Sequence, residues 1–264
     1  MSKQKGIIKL EGNLGGISFY SSDGEHLARI ANGPSKDRIS KDPAFKRTRE
    51  NNMEFGGSAK VSKSFRLSLG TVLKDMAGRY LTARLTKIFK IINLKATGTR
   101  GQRPIELSQY KDTLKNFDLD KNISLSSIFS APYTLTSVPD RNEVTVVVPN
   151  FVPDDFINAP AGSTHFKLIL LLGTVSDFQY NAGFSGYEAI DASQNSLSVV
   201  ELSTIRPLGS TPSTFNLTAT LNGAPVLVPE VSGIVCLGIQ FYQEVGGNYY
   251  PFAQDNAMKV IDVI

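Results

Sequence analysis

The chain has 264 residues, 41% of them hydrophobic and 20% charged, with one Cys and no Trp. That is enough apolar content for a sizeable core in one large or two ordinary domains, and it excludes a wholly disordered chain. The formal charge of +4 hides a partition, because residues 1–103 hold 21 Lys/Arg against 8 Asp/Glu while residues 104–264 hold 7 against 16.

The opening residues Met1 to Glu11 are basic but lack an apolar run of the length a secretory signal needs, and the longest strongly apolar run, Leu168 to Leu172, falls far short of the roughly 20 residues of a spanning helix. The expectation is a soluble chain made in the cytoplasm without membrane insertion, its final place a particle or the exterior by a non-classical route. Ile8 and Leu10, then Ile17 and Phe19, then Leu27 alternate in strand fashion, and Asp23-Gly24 between the last two runs signals a hairpin. Residues 1–31 therefore read as a β-meander of two or three strands. So small a sheet is marginal in water, so it must cover its apolar face with the rest of the chain or with a neighbouring subunit.

Asn32-Gly33-Pro34-Ser35 breaks the pattern, and Asp42-Pro43 places an N-cap acid before a first-turn proline, which starts a helix. Apolar positions then recur at spacings of three and four from Val61 to Ile92. They predict two or three amphipathic helices, with bends near Gly57, Gly70 and Gly78, in a basic helical segment over 32–103. The polar connector Ala96 to Pro104 ends that segment, and the spacing of Tyr110, Leu114 and Phe117 predicts a short helix from about Leu107 to Phe117. Beyond Asn122 the period becomes two, with turn residues such as Pro139-Asp140, Asn222-Gly223 and Gly246-Gly247 between the runs. Seven or eight strands over 104–264 predict an acidic antiparallel β-sandwich, immunoglobulin-like or jelly-roll-like, and the whole reads as α+β.

Chemistry is sparse. Cys236 lies among apolar neighbours and reads as a buried structural thiol; being alone, it excludes an internal disulfide and a cysteine-built metal site. His26 and His165 have no second His or Cys at ligand spacing, so zinc is not expected. Gly12 to Gly16 lacks the Gly-Lys-Ser/Thr of a phosphate loop and reads as a turn; Gly183-Phe184-Ser185-Gly186 misses the spacing of a nucleophile elbow and reads as a loop. The carboxylate pairs Asp154-Asp155, Asp118 with Asp120, and Glu188 with Asp191 read as solvated acids. No catalytic, cofactor-binding or metal residue is assigned, and the chain is expected not to be an enzyme.

The candidate contact surface is basic: Arg47, Arg49, Lys60, Lys63, Arg66, Arg79, Arg84, Lys87 and Lys90, in a stretch with no acid between Asp75 and Glu106. Its expected partner is another copy of the chain, through the acidic rear domain. Opposite charges on one body favour head-to-tail contacts that build a filament, tube or shell. Ile8, Leu10, Ile17 and Phe19 mark the candidate assembly strands, able to add to a neighbour's sheet edge. The alternative is a nucleic-acid-binding or packaging protein that uses the basic helical segment. A carbohydrate-binding sandwich ranks below both, since Trp is absent.

Gly6 to Tyr20 and Asp42 to Asn51, with Phe241 to Val245 and Tyr250-Pro251, resemble a set of uncharacterised proteins of Bacteroidetes-type bacteria. The resemblance implies a natural unit and supplies no activity.

Overall fold

A computed structural model describes residues 2–30, 33–253 and 255–264. Met1, Ala31, Asn32 and Gln254 lie outside the described residues, so the expected break at Asn32 and both outer limits of the 1–31 meander do too. Two compact units are present, Met1–Arg49 and Glu50–Ile264.

The first unit holds β1 (Ser2–Lys3), β2 (Gly12–Leu14), β3 (Ile17–Ser22) and β4 (Glu25–Ile30), antiparallel in the order β1-β4-β3-β2. Ser22 pairs with Glu25 across Asp23-Gly24, whose φ values of 53° and 79° are those of a type I′ hairpin turn. Ile8 and Leu10, expected on a strand, instead lie in the loop between β1 and β2. The Gln4 side chain accepts from the Leu10 N–H at 2.8 Å and donates to the Leu10 and Leu27 carbonyls at 3.2 Å. A side-chain ring thereby replaces the ladder that the alternation suggested. Ser35 caps α1 (Lys36–Lys41), and Asp42 accepts from the Ala44 N–H at 2.9 Å, so that Pro43 opens a 3-10 turn, Pro43–Phe45, running directly into α2 (Lys46–Ser68).

The second unit continues with α3 (Leu73–Met76), α4 (Leu81–Lys95) and α5 (Leu125–Ile128). Next come β5 (Thr134–Ser137), β6 (Glu143–Phe151), α6 (Pro153–Phe156), β7 (His165–Ser176), β8 (Phe178–Asn181) and β9 (Gly186–Ala189). The remaining strands are β10 (Ser198–Leu202), β11 (Arg206–Pro207), β12 (Ser213–Thr220), β13 (Val231–Val245), β14 (Asn248–Pro251) and β15 (Ala257–Val263). A six-stranded sheet runs β10-β7-β13-β14, with β11 also on β7 and β15 also on β13; β12-β6-β5 form a second sheet, and β8-β9 a small hairpin.

Three layers result. Phe166, Leu168, Leu170 and Leu172 of β7 share a core with Val235, Leu237 and Ile239 of β13 and with Val144, Val146, Phe215 and Leu217 of the second sheet. The alternate residues Ile169, Leu171, Ile234 and Cys236 point the other way and share a second core with Val61, Phe65, Leu85, Phe89 and Ile92 of the helices. The α+β class and the antiparallel, sandwich-like packing therefore stand, with helices as an outer layer.

The divisions expected at 31/32 and 103/104 do not coincide with this organisation. The helices over 50–95 belong to the sheet body because their apolar stripe has no other cover. The regrouping also changes the charge picture: residues 1–49 hold 10 Lys/Arg against 5 Asp/Glu, and residues 50–264 hold 18 against 19.

The helix expected from Leu107 to Phe117 is two 3-10 turns, Leu107–Gln109 and Lys111–Thr113. Its backbone is engaged elsewhere: the Asn116 N–H donates to the Val260 carbonyl at 2.8 Å, and the Val260 N–H to the Phe117 carbonyl at 2.9 Å. Leu114 is still buried, as its spacing suggested.

Helix α2 runs unbroken through Gly56-Gly57, where a bend was expected. A Cβ on Gly57 would stand 2.5 Å from the Tyr187 ring, whereas one on Gly56 would meet nothing within 4 Å. The two glycines should thus respond oppositely to alanine. Gly56→Ala is expected to stabilise by about 0.5–1 kcal/mol, and Gly57→Ala to destabilise by about 1–3 kcal/mol, as read from urea unfolding midpoints.

Candidate functional site

The outward side of α2 and α4 carries the basic surface, and beneath it lies a buried polar clasp. Glu54 of α2 is 1% exposed. Its carboxylate accepts from Arg103 Nε and Nη2 at 2.8 Å each, from the Gly101 N–H at 2.8 Å and from Lys90 Nζ at 2.5 Å. Asn93 of α4 donates to the Arg103 carbonyl at 2.7 Å, as does the Tyr187 hydroxyl at 2.8 Å. Four cation and amide donors around one acid satisfy a charge that would otherwise be costly to bury. Burial raises the Glu54 carboxyl, but the hydrogen bonds from Arg103, Lys90 and Gly101 outweigh it and hold the group at about 2. Burial, with the Glu54 charge beside it, pushes the Tyr187 phenol up to about 12. The clasp fastens α2, α4 and the 96–104 connector to one another and to β9.

Several of the nine expected surface cations are engaged locally. Arg49 donates through Nη1 to the carbonyls of Ile39 and Asp42 at 2.7 and 2.9 Å. Lys60 donates to the Tyr187 carbonyl at 2.8 Å, Arg84 stacks 4.3 Å over the Phe117 ring, and Lys90 belongs to the clasp. Arg79 lies 5.4 Å over the Tyr80 ring, and Arg66 is half-buried with its Nε unpaired. Lys63, Lys87 and Arg47 are exposed. Lys90 and Arg103 pair with Glu54, and Arg100 with Glu50, acids of the helical segment itself.

Between α2 and α4 runs an open groove of about 690 Å³. Phe55, Tyr80 and Ile91 line it, the small side chains of Ala59 and Ala83 leave the space, and Arg79, Lys87 and Lys90 also line it. The periodicity of the sequence located these helices by the apolar positions from Val61 to Ile92. Phe55, Ile91 and Leu94 form a second, outward apolar side. Their offset from the Phe65–Phe89–Ile92 stripe was the available signal.

Of the candidate assembly strand residues, Ile17 and Phe19 lie on β3, and Ile8 and Leu10 on the preceding loop. Among the described residues of the first unit none is buried, and Ile7 and Ile8 are 102% and 79% exposed.

Three of the acids set aside from the sequence serve as local caps: Asp118 accepts from the Leu125 N–H at 3.0 Å, Asp120 from the Asn122 N–H at 2.7 Å, and Asp191 from the Gln194 N–H at 2.9 Å. Among the described residues no group of three His, Cys, Asp or Glu is placed to hold a metal, and no helix is long and apolar enough to cross a membrane. Cys236 is fully buried, which pushes its thiol up and makes it unreactive. Asp177, raised to about 6 by burial against hydrogen bonds from Ser108, is held at the base of β8 away from the groove.

Comparison with protein-family models, with curated proteins and with solved structures finds no match for this chain.

Glu54 provides the stability test. Its folded-state value lies below the ordinary 4.5, so its contribution is complete above about pH 5 and is lost as pH falls toward 2. Glu54→Ala is expected to cost about 3–5 kcal/mol at neutral pH, because it leaves two partly buried cations unpaired beside a cavity. Its deficit against the parent should shrink steadily in urea titrations below pH 5.

Proposed function

We propose that the chain is a non-enzymatic structural subunit that assembles with copies of itself into a filament, tube or shell. One observation carries this reading: the first unit has secondary structure without a core. Leu14 and Ile30 on its strands, and Ile7 and Ile8 on the loop between β1 and β2, are each at least two-thirds exposed, and no described residue of residues 2–49 is buried. Small sheets without a covered apolar face are marginal in water, so this one needs a surface to lie on. With 10 Lys/Arg against 5 Asp/Glu, it suits the acid-rich β-strand surface of a neighbouring copy. Strand addition has a place too, since β1 and β2 are the sheet's edges.

A nucleic-acid-binding role is the second reading. Lys63 and Lys87 favour it, being exposed and without a polar partner among the described residues. The engagement of Arg49, Lys60, Arg84 and Lys90 within the fold weakens it, since those cations would have to leave their partners to reach phosphate.

Light scattering on nuclease-treated, nucleic-acid-free protein separates the two. Self-assembly predicts particles many times the 28.7 kDa chain mass; a 28.7 kDa species that retards duplex DNA in a gel would sink the assembly reading. Ile7→Asp with Ile8→Asp touches no core, so the fold should persist while the association constant falls. Losing two buried isoleucines costs about 3–6 kcal/mol, roughly two to four powers of ten. The same light-scattering measurement reads this as a collapse in particle mass at equal concentration.

A further inference from the structure

Two apolar surfaces of the second unit stand open, and their charges are opposite. The first is the groove between α2 and α4. Phe55 and Tyr80 on its walls are 55% and 51% exposed, so it is too open to enclose a small molecule and suits a macromolecular surface. Arg79, Lys87 and Lys90 line it and no acid does.

The second is the hairpin of β13 and β14. Pairing of β13 with β7 ends at Tyr242 opposite His165, and pairing with β15 ends at Ile239 opposite Ala257. Beyond those points Gln243–Pro251 extends as a two-stranded arm, every residue of it exposed, held at its base by the Glu244 N–H, which donates to Thr164 Oγ1 at 2.8 Å, and by the Tyr249 ring, edge-on to His165 at 4.8 Å. Tyr249 and Tyr250 are 46% and 56% exposed. Glu244 is the only charged residue of the arm, at 4.0 Å from His165. Tyrosine is the residue type that anchors interfaces, its ring buried and its hydroxyl left a partner at the rim.

Charge selects between the partners available in a second copy. Groove against groove would bring two cationic rims together. The Ile7-Ile8 tip is flanked by Lys5 and Lys9 and meets the same repulsion. The arm brings apolar surface together with negative charge, and it projects.

We infer that the β13–β14 arm of one copy seats Tyr249 and Tyr250 in the α2–α4 groove of a second copy. The two surfaces are different patches of the same chain, so the contact is head-to-tail, and each added copy presents a fresh arm and a fresh groove. This inference rests on the self-assembly reading and adds a second contact to it, independent of the first unit.

Cysteine cross-linking tests it, with Phe55→Cys and Tyr250→Cys introduced separately and together into the full chain. The buried Cys236 does not compete. Under mild oxidation by diamide, the chain carrying both substitutions is expected to give a ladder of covalent multimers on a non-reducing gel, collapsing to 28.7 kDa with reductant. A mixture of the two single variants should give a covalent dimer, and each alone a single-chain band. Absence of the ladder from protein that light scattering shows to be assembled overturns this contact and leaves the self-assembly reading in place. So does a dimer from Phe55→Cys alone, which would mean groove on groove. A parent chain that scatters as a monomer overturns both.

Discussion

The β7–β13 pair is the element on which the rest of the second unit is built. These antiparallel strands are matched from Val231 opposite Ser176 to Tyr242 opposite His165, and along most of that length both of their faces are buried. Strands buried on both faces read as near-continuous apolar runs rather than alternating ones, which is the reason for the Leu168–Leu172 run. Covering one face with β6 and β12 and the other with α2 and α4 yields the three layers. The helical layer is therefore held by apolar surface, with the Glu54 clasp locking its position once it is there.

Charge plays a different part from the one its distribution along the chain suggests. The excess of basic over acidic residues up to position 103 does not mark a separate cationic body. Most of it is spread over helices that share a core with an acid-rich β-body, making the second unit nearly balanced, with 18 Lys/Arg against 19 Asp/Glu. What remains is a polarity of surfaces: cations on the outward helical side and acids toward the strands. The first unit keeps a basic excess of its own, and none of its described residues is buried. The proposed assembly rests on that exposure more than on its charge.

Local features were legible from residues alone when short-range chemistry decides them. Asp23-Gly24 makes its turn because both positions adopt the left-handed region, and Asp42-Pro43 starts a helix because the acid caps the Ala44 N–H. Readings based on periodicity alone were less secure. Ile8 and Leu10 alternate like a strand, yet Gln4 draws that backbone into a loop. Leu107 to Phe117 is spaced like a helix, yet its backbone at Asn116 and Phe117 bonds Val260 of β15. Gly57 was read as a weak point, and it is a contact, because only there does Tyr187 lie flat against α2.

Composition and pattern by themselves determined the α+β class, the strand-rich rear region and the buried thiol, because each follows from local propensity or from residue counts. Tertiary structure alone decided that the helices join the sheet body, that Glu54 lies under two cations, and that Phe55, Tyr80 and Ile91 line a groove while Tyr249 and Tyr250 stand on an arm. Those outcomes depend on which apolar surfaces find cover from segments distant in the chain, and on which are left over. A one-dimensional pattern records that a residue is apolar without recording what will lie against it.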